Sequence, residues 1–307
     1  MLASTALLVL LAAAPARPTG GPLADPGSTA AARAVAATRS LVGAPYGVSP
    51  LGEGAGRDPD PRFRLDRFDC MTFVETAIAL GSATSLDAAP ALLDDIRYSD
   101  AVDWAHRNHE VLSQWIPANV RKGWIADVAR EVAGDRAIVV EDAYTPARWR
   151  RLEALGRAIP DIPPALRPVG RFSIGAIPPA ELPAVATRIP EGAILVVLRA
   201  AAENRVTRVT HVALAVRGPD GALRVRHASW NGRAGQVREE PLAPFLARQA
   251  RAAARPVVGI GVLAILDNAG RAALLAPHPA SATLPSARPL LDLPADAAGP
   301  GGPPTPR

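Results

Sequence analysis

The chain has 307 residues, with 34 Lys and Arg against 29 Asp and Glu and a formal charge of +5; Lys122 is its only lysine. The arginines are scattered and only three tyrosines accompany them, so there is no aromatic-studded basic stripe of the kind that binds nucleic acid. The length gives one or two domains with ample material for a core, and the single cysteine, Cys70, leaves no disulfide partner within the chain.

Met1 to Ala16 carry the apolar run Ala6-Leu7-Leu8-Val9-Leu10-Leu11 followed by Ala12-Ala13-Ala14-Pro15-Ala16. This is the pattern of a signal peptide cleaved near Ala14 or Ala16, and it is too short to span a bilayer. It predicts export to the periplasm or the outside, and the lack of a cysteine near the cleavage site argues against a lipid anchor. In an oxidising compartment a lone cysteine is either a buried apolar passenger or a working thiol. Residues 17–28, rich in Pro and Gly, read as a flexible linker, 29–266 as one domain, and 267–307 as a disordered Ala/Pro/Gly-rich tail.

Within the domain, Ser28 or Thr29 caps a predicted helix that Gly43 stops. A loop of Gly, Pro and Asp leads through Arg62 to a helix from Cys70 to about Ala83. Helices are expected over 87–98 and 101–115, a turn and a helix over 119–133, a strand over 137–141 and a helix over 146–158, before Pro-punctuated segments to 190. The period then becomes strand-like over 193–198, 209–216, 223–228 and 236–239; a helix at 242–250 and a strand at 257–266 follow. Helices first and antiparallel strands afterwards define an α+β fold.

The chemistry centres on Arg67-Phe68-Asp69-Cys70-Met71-Thr72-Phe73-Val74-Glu75. Asp69 is in capping position and Cys70 in the first helical turn, where unpaired N–H groups and the helix dipole favour a thiolate. Of the five histidines, His211 heads an apolar strand and His227 lies near the end of the next. Both are eight residues from Pro219, inside the turn signal Gly218-Pro219-Asp220-Gly221, so antiparallel pairing makes them cross-strand neighbours. A cysteine nucleophile needs one imidazole to take its proton and a second polar group to orient that imidazole. The competing use is zinc: His106 and His109, three residues apart, could join His211 and His227, but the usual zinc spacings are absent. No metal and no cofactor are therefore expected.

Gly43-Ala44-Pro45-Tyr46, the Cys70 motif, Thr210-His211-Val212-Ala213-Leu214 and His227-Ala228-Ser229 together resemble the NlpC/p60-type papain-like amidases of bacterial cell walls. Asp69-Cys70 with Thr72-Phe73-Val74-Glu75, and the insert Arg107-Asn108-His109 through Trp115, Asn119, Lys122-Gly123 and Asp127-Val128, look like the N-acetylmuramoyl-L-alanine amidase branch, once known only as a domain of unknown function. The resemblance implies a papain-like core: N-terminal helices with the cysteine at a helix N-terminus, packed on a C-terminal antiparallel sheet that carries the histidines, plus a helical insert over about 87–133. It also implies Cys70 as nucleophile, His211 as general base and acid, His227 as the orienting third residue, and a thioester intermediate. Tyr46, Asp69, Arg107, Asn108 and His109 are the implied substrate-binding residues, although Glu110 replaces the branch's usual tyrosine beside that histidine. The expected partner is peptidoglycan or its muropeptide fragments, with no nucleic acid, no membrane span and a monomeric chain. The same machinery would serve a γ-D-glutamyl-diamino acid endopeptidase, and a non-catalytic wall-binding protein would keep the fold alone.

Overall fold

Thr29 opens the first helix: its hydroxyl accepts from the Ala32 N–H, and α1 runs Ala30–Arg39. In this computed structural model the described residues are 27–276, apart from Ala158, Pro160, 231–233 and 252–254. The expected signal peptide, most of the expected linker and the tail beyond 276 lie outside them. The next helix, α2 (Cys70–Ser82), begins at Asp69 and crosses α1 closely at Gly81. A Cβ there would lie 2.3 Å from the Ala30 carbonyl oxygen and 2.8 Å from Ala34 Cβ, so only glycine permits the approach.

A short 3-10 turn and α3 (Ala89–Arg97) follow, as the 87–98 pattern predicts. The expected helix over 101–115 does not form. Residues 99–109 fold instead as turns, with an isolated bridge between Tyr98 and Arg107. The reason is polar: the carboxylate of Asp103 accepts from the His106 backbone N–H at 2.9 Å and meets His106 Nδ1 at 2.8 Å, capturing groups a helix would use. Helical structure resumes as a π-helical turn, Val111–Trp115, that runs into α4 (Ile116–Lys122), with Pro117 tolerated in the first turn. The insert is thus only partly helical, since it also contains strand β1 (Ile125–Asp127) before α5 (Ala129–Ala133).

Strand β2 (Ile138–Tyr144), helix α6 (Pro146–Ala154) and strand β3 (Gly170–Ala176) come next; β2 and β3 pair as a separate antiparallel ribbon. The β3 strand alternates Phe172, Ile174 and Ala176 with Arg171, Ser173 and Gly175, but this short run stands among prolines that break the surrounding pattern. After α7 (Leu182–Val185) come β4 (Ile194–Arg199), β5 (Val209–Arg217), β6 (Leu223–Trp230), β7 (Gly235–Pro241), α8 (Leu242–Arg251) and β8 (Val257–Ile265). Together with β1 they form one six-stranded antiparallel sheet in the order β1-β8-β4-β5-β6-β7. Every residue of β4 is buried, as suits a strand covered on both faces. One core joins α1, α2 and α3 to Val196, Val212, Leu214 and Ala228; the other joins Leu182, Val185 and Phe245 to Leu195, Val197, Ala213 and Ala215. Alternate residues of the same strands therefore serve opposite layers.

Residues 267–275, expected in the tail, belong to the folded part. Asn268 caps α9 (Ala269–Leu275), and Arg271 holds Asp95 of α3 through two bonds of 2.7 and 2.6 Å. Ala272 and Leu275 pack on the core, an apolar pattern of only two residues, and the polar contacts to α3 add to it. Among the described residues no helix is long and apolar enough to cross a membrane.

Below the core of α2 sits an ion pair with almost no access to water. Arg97 Nη1 lies 2.7 Å from Glu75 Oε2, and Arg97 Nη2 donates to the Leu51 carbonyl at 2.7 Å. It ties α2, α3 and the loop before α2 together. Arg97→Met should cost about 3–5 kcal/mol in urea unfolding, because it strands a buried carboxylate. The double variant Arg97→Met with Glu75→Leu should regain much of that loss; equal loss in both would mean that packing, not charge, dominates.

Candidate active site

The first turn of α2 is set by a reciprocal pair of bonds. Asp69 Oδ1 accepts from the Thr72 N–H at 2.8 Å, and Thr72 Oγ1 accepts from the Asp69 N–H at 3.0 Å. The other carboxylate oxygen accepts from the Ser49 N–H at 3.1 Å, tying in the preceding loop. Asp69, an expected substrate ligand, is therefore occupied in capping. Cys70 follows directly, partly exposed and packed against the core beside β5.

The expected low-pKa thiolate is not what this environment favours. Burial pushes the Cys70 thiol up to about 12 and the Asp69 carboxylate adds to it, outweighing the N–H groups of Val212, Cys70 and Met71 that favour the anion. The cap that starts the helix puts a negative charge next to the sulfur, and that charge opposes the helix dipole. The Val212 N–H, directed at the thiol, comes from the residue after His211, so the sulfur stands at the head of β5.

His211 and His227 do meet: His211 Nε2 lies 2.7 Å from His227 Nδ1, with the rings edge to face. The register differs from the expected one. Leu214 pairs with Arg226 and Arg217 with Leu223, so the hairpin is centred one residue later, and the two histidines are diagonal neighbours on one face. The two-residue offset preserves the face, which is why the pairing survives. Both rings pack on Phe245 of α8, with centroids 6.0 and 5.3 Å away.

A residue with no sequence signal completes the row. Glu240 on β7 lies 2.7 Å from His227 Nε2 through Oε1, and Arg248 of α8 pairs with the same carboxylate. Burial, with Arg248 and Arg238 nearby, lowers the His227 pKa to about 3. Burial, His227, Arg248 and Arg199 hold His211 well below the ordinary imidazole value. Both rings are thus neutral near pH 7, and hydrogen-bond chemistry assigns their tautomers. Glu240 accepts from His227 Nε2–H, His227 Nδ1 accepts from His211 Nε2–H, and His211 Nδ1 is left with a lone pair.

Tyr46 stands at the same mouth. Burial, Cys70 and Asp69 raise its phenol to about 12, and its ring lies 6.1 Å from the exposed Trp230. Its backbone pairs with Phe68 and donates to the Gly235 carbonyl at 2.8 Å. A Cβ on Gly235 would sit 2.4 Å from Tyr46 Cβ, so this glycine admits the strand. Arg107, Asn108 and His109 do not form the expected open gripping face. Arg107 is buried, with Nη2 2.5 Å from Glu53 and 2.8 Å from Asp58, and its guanidinium lies over Trp104. Asn108 is buried, and its backbone N–H donates to Arg97. His109 Nε2 contacts the Trp104 carbonyl at 2.6 Å, and burial lowers its pKa to about 4. Glu110 is fully buried and accepts from Ser113 Oγ at 2.8 Å, capping the π-helical turn. Among the described residues no group of three or more His, Cys, Asp or Glu is arranged to hold a metal ion.

A cysteine at a helix start thus stands beside an antiparallel sheet that carries a His–His–Glu row. Residues 36–252 match the AmiA-like family, described as N-acetylmuramoyl-L-alanine amidase-like, and the chain belongs to this family. No curated protein sequence matches it. In structure it is similar to protein LPG0564 of Legionella pneumophila, with a TM-score of 0.66 at 21% identity over 78% of this chain and 90% of that one. It is also similar to an N-acetylmuramoyl-L-alanine amidase from Bacteroides uniformis, with a TM-score of 0.59 at 21% identity over 77% of this chain and 98% of that one. These likenesses establish the mixed α+β fold.

Two outcomes follow from the site's charges. Asp69→Asn keeps a capping side chain but removes the negative charge beside the sulfur. Alkylation of Cys70 by iodoacetamide should then begin at lower pH than in the parent, with little change in unfolding midpoint; an unchanged pH profile would refute the role given to Asp69. Imidazole ¹⁵N shifts near pH 7 should show Nε2–H tautomers for both His211 and His227 in the parent. In Glu240→Ala the tautomers should become mixed, whereas retention of the parental pattern would show that Glu240 does not set them.

Proposed function

We propose that the protein is a cysteine amidase of bacterial peptidoglycan, of the NlpC/p60 papain-like type, that cleaves the amide between N-acetylmuramic acid and L-alanine. The observation that carries this is the His211–His227–Glu240 row at the head of β5, next to a thiol at a helix N-terminus. Membership of the amidase-like family supports the choice of bond.

In this mechanism Cys70 and His211 rest as neutral thiol and imidazole. His211 Nδ1 takes the thiol proton as sulfur attacks the lactyl carbonyl, so that charge develops during the reaction. Backbone N–H groups at the start of α2 stabilise the oxyanion. The imidazolium, held by His227, then gives its proton to the departing alanine nitrogen. The acyl group stays on sulfur as a thioester; water, deprotonated by His211, hydrolyses it and frees the thiol. We read Tyr46 as lining the cleft, on the strength of its place beside Cys70. The apolar run at residues 6–11 supports export, with the wall or its fragments as substrate.

Incubation with a disaccharide–tetrapeptide should release free tetrapeptide and disaccharide by mass spectrometry, with no turnover in Cys70→Ala. A shorter peptide released with the sugar still on L-alanine would move the enzyme to the endopeptidase class. Absence of any cleavage would favour a binding protein.

A further inference from the structure

A buried arginine normally faces a carboxylate, since an unpaired charge away from water is costly. Arg199, at the end of β4, is 2% exposed and has no such partner among the described residues. Its donors go to Thr210 Oγ1 at 2.9 Å and to the carbonyls of Arg255 and Gln249 at 2.8 and 2.9 Å, all of them neutral acceptors. It lines a cavity of about 480 Å³ with Arg157, Arg205, Arg255, Thr207 and Thr210, and among the described residues no Asp or Glu lines that cavity. Among the described residues, Arg255 bonds to the carbonyls of Ala200 and Thr207, at 3.1 and 3.2 Å, and Arg157 to that of Asn204 at 2.9 Å.

The nearest acids are engaged elsewhere. Asp142 binds Arg148 at 2.8 and 3.1 Å, although its field reaches Arg255, and Glu203 pairs with Arg151. Glu110 is buried and meets Thr207 and Ser113. Burial lowers the pKa values of both Arg199 and Arg255, and repulsion from neighbouring guanidinium groups adds to it, from Arg255 at Arg199 and from Arg205 with Arg208 at Arg255, where Asp142 opposes them. An anion in the cavity would relieve that repulsion, and guanidinium groups offer paired donors that match a carboxylate.

The cavity adjoins the candidate site through Thr210, the residue before His211, and Arg199 acts electrostatically on His211. In the proposed reaction the lactyl carboxyl is tied up as an uncharged amide and the two sugars are neutral. Every carboxylate of the substrate lies on the stem peptide, the leaving group. That leaving group must depart beside His211, which protonates it.

We propose that the arginine cavity binds the carboxylates of the stem peptide and so fixes the peptide side of the cleft; this rests on the amidase reading. The test is calorimetric binding of L-Ala–D-Glu–diaminopimelate to the full chain carrying Cys70→Ala, compared with the same peptide having all its carboxylates amidated. The acid peptide should bind at least tenfold more tightly. Arg205→Gln with Arg255→Gln should remove that preference, while Arg255→Lys, which keeps the charge, should retain part of it. Arg205 is exposed, so its single substitution leaves the fold intact and should already weaken the acid peptide. Equal binding of both peptides, or an equal loss for both in the variants, would overturn the proposal. So would displacement of the acid peptide by equimolar inorganic phosphate, which marks a general anion site. No bond breaks in this experiment. Arginine-dependent binding with no muropeptide cleavage would thus remove the amidase reading and leave the cavity's ligand standing.

Discussion

The point at which α2 begins controls the rest of the site. Two hydrogen bonds between Asp69 and Thr72 fix the first turn, and a third from Ser49 pins the loop before it. If the helix began a turn later, Cys70 would lose its place at the head of β5 and the N–H groups that face its sulfur. The same carboxylate raises the energy of the thiolate. Stability of the helix start and reactivity of the resting thiol therefore pull on one side chain in opposite directions. A neutral resting thiol is the compromise; in the proposed reaction charge is created only when a substrate supplies a carbonyl.

Around this point the sheet supplies direction. His211, His227 and Glu240 occupy three successive strands, and the row they form runs inward from the sheet end to a buried carboxylate. Side chains standing perpendicular to a sheet and neighbouring across strands can form such a row, and β5 carries a register irregularity at Thr210, just before His211, where it pairs with β4. Phe245 presses on both rings and excludes water from them. That exclusion lowers both imidazole pKa values, so the row holds neutral tautomers rather than charges. Arg248 then balances the one carboxylate at its end.

Charge is distributed unevenly elsewhere. Arg97 and Arg107 are buried against acids and serve as ties between loops and helices. Arg199 and Arg255 are surrounded by carbonyl and hydroxyl oxygens instead. The same residue type does structural work in the first setting and leaves an electrostatic demand in the second. Only the identity of the neighbouring acceptor separates the two.

Much of this was written locally. The capped start of α2 depends on residues three apart, the β5–β6 hairpin on a four-residue turn, and the alternation of β5 on a two-residue period, so each is legible from the chain. The observed hairpin register, offset by two residues from the one the turn signal predicts, still keeps His211 and His227 together, because an even offset keeps side chains on one face. What the sequence could not display was distance between remote residues and loss of water. Glu240 and Arg248 reach the histidines from another strand and a helix, and the four cavity arginines come from separate segments. Arg107, Asn108 and His109 read as an open helical face but fold inward, because Glu53 and Asp58 lie on a loop some fifty residues earlier. The thiol's pKa likewise depends on burial, which no local spacing encodes. Sequence alone determined which groups can cap, turn and alternate; tertiary structure decided which charges meet and which are left dry, since desolvation belongs to the packed chain.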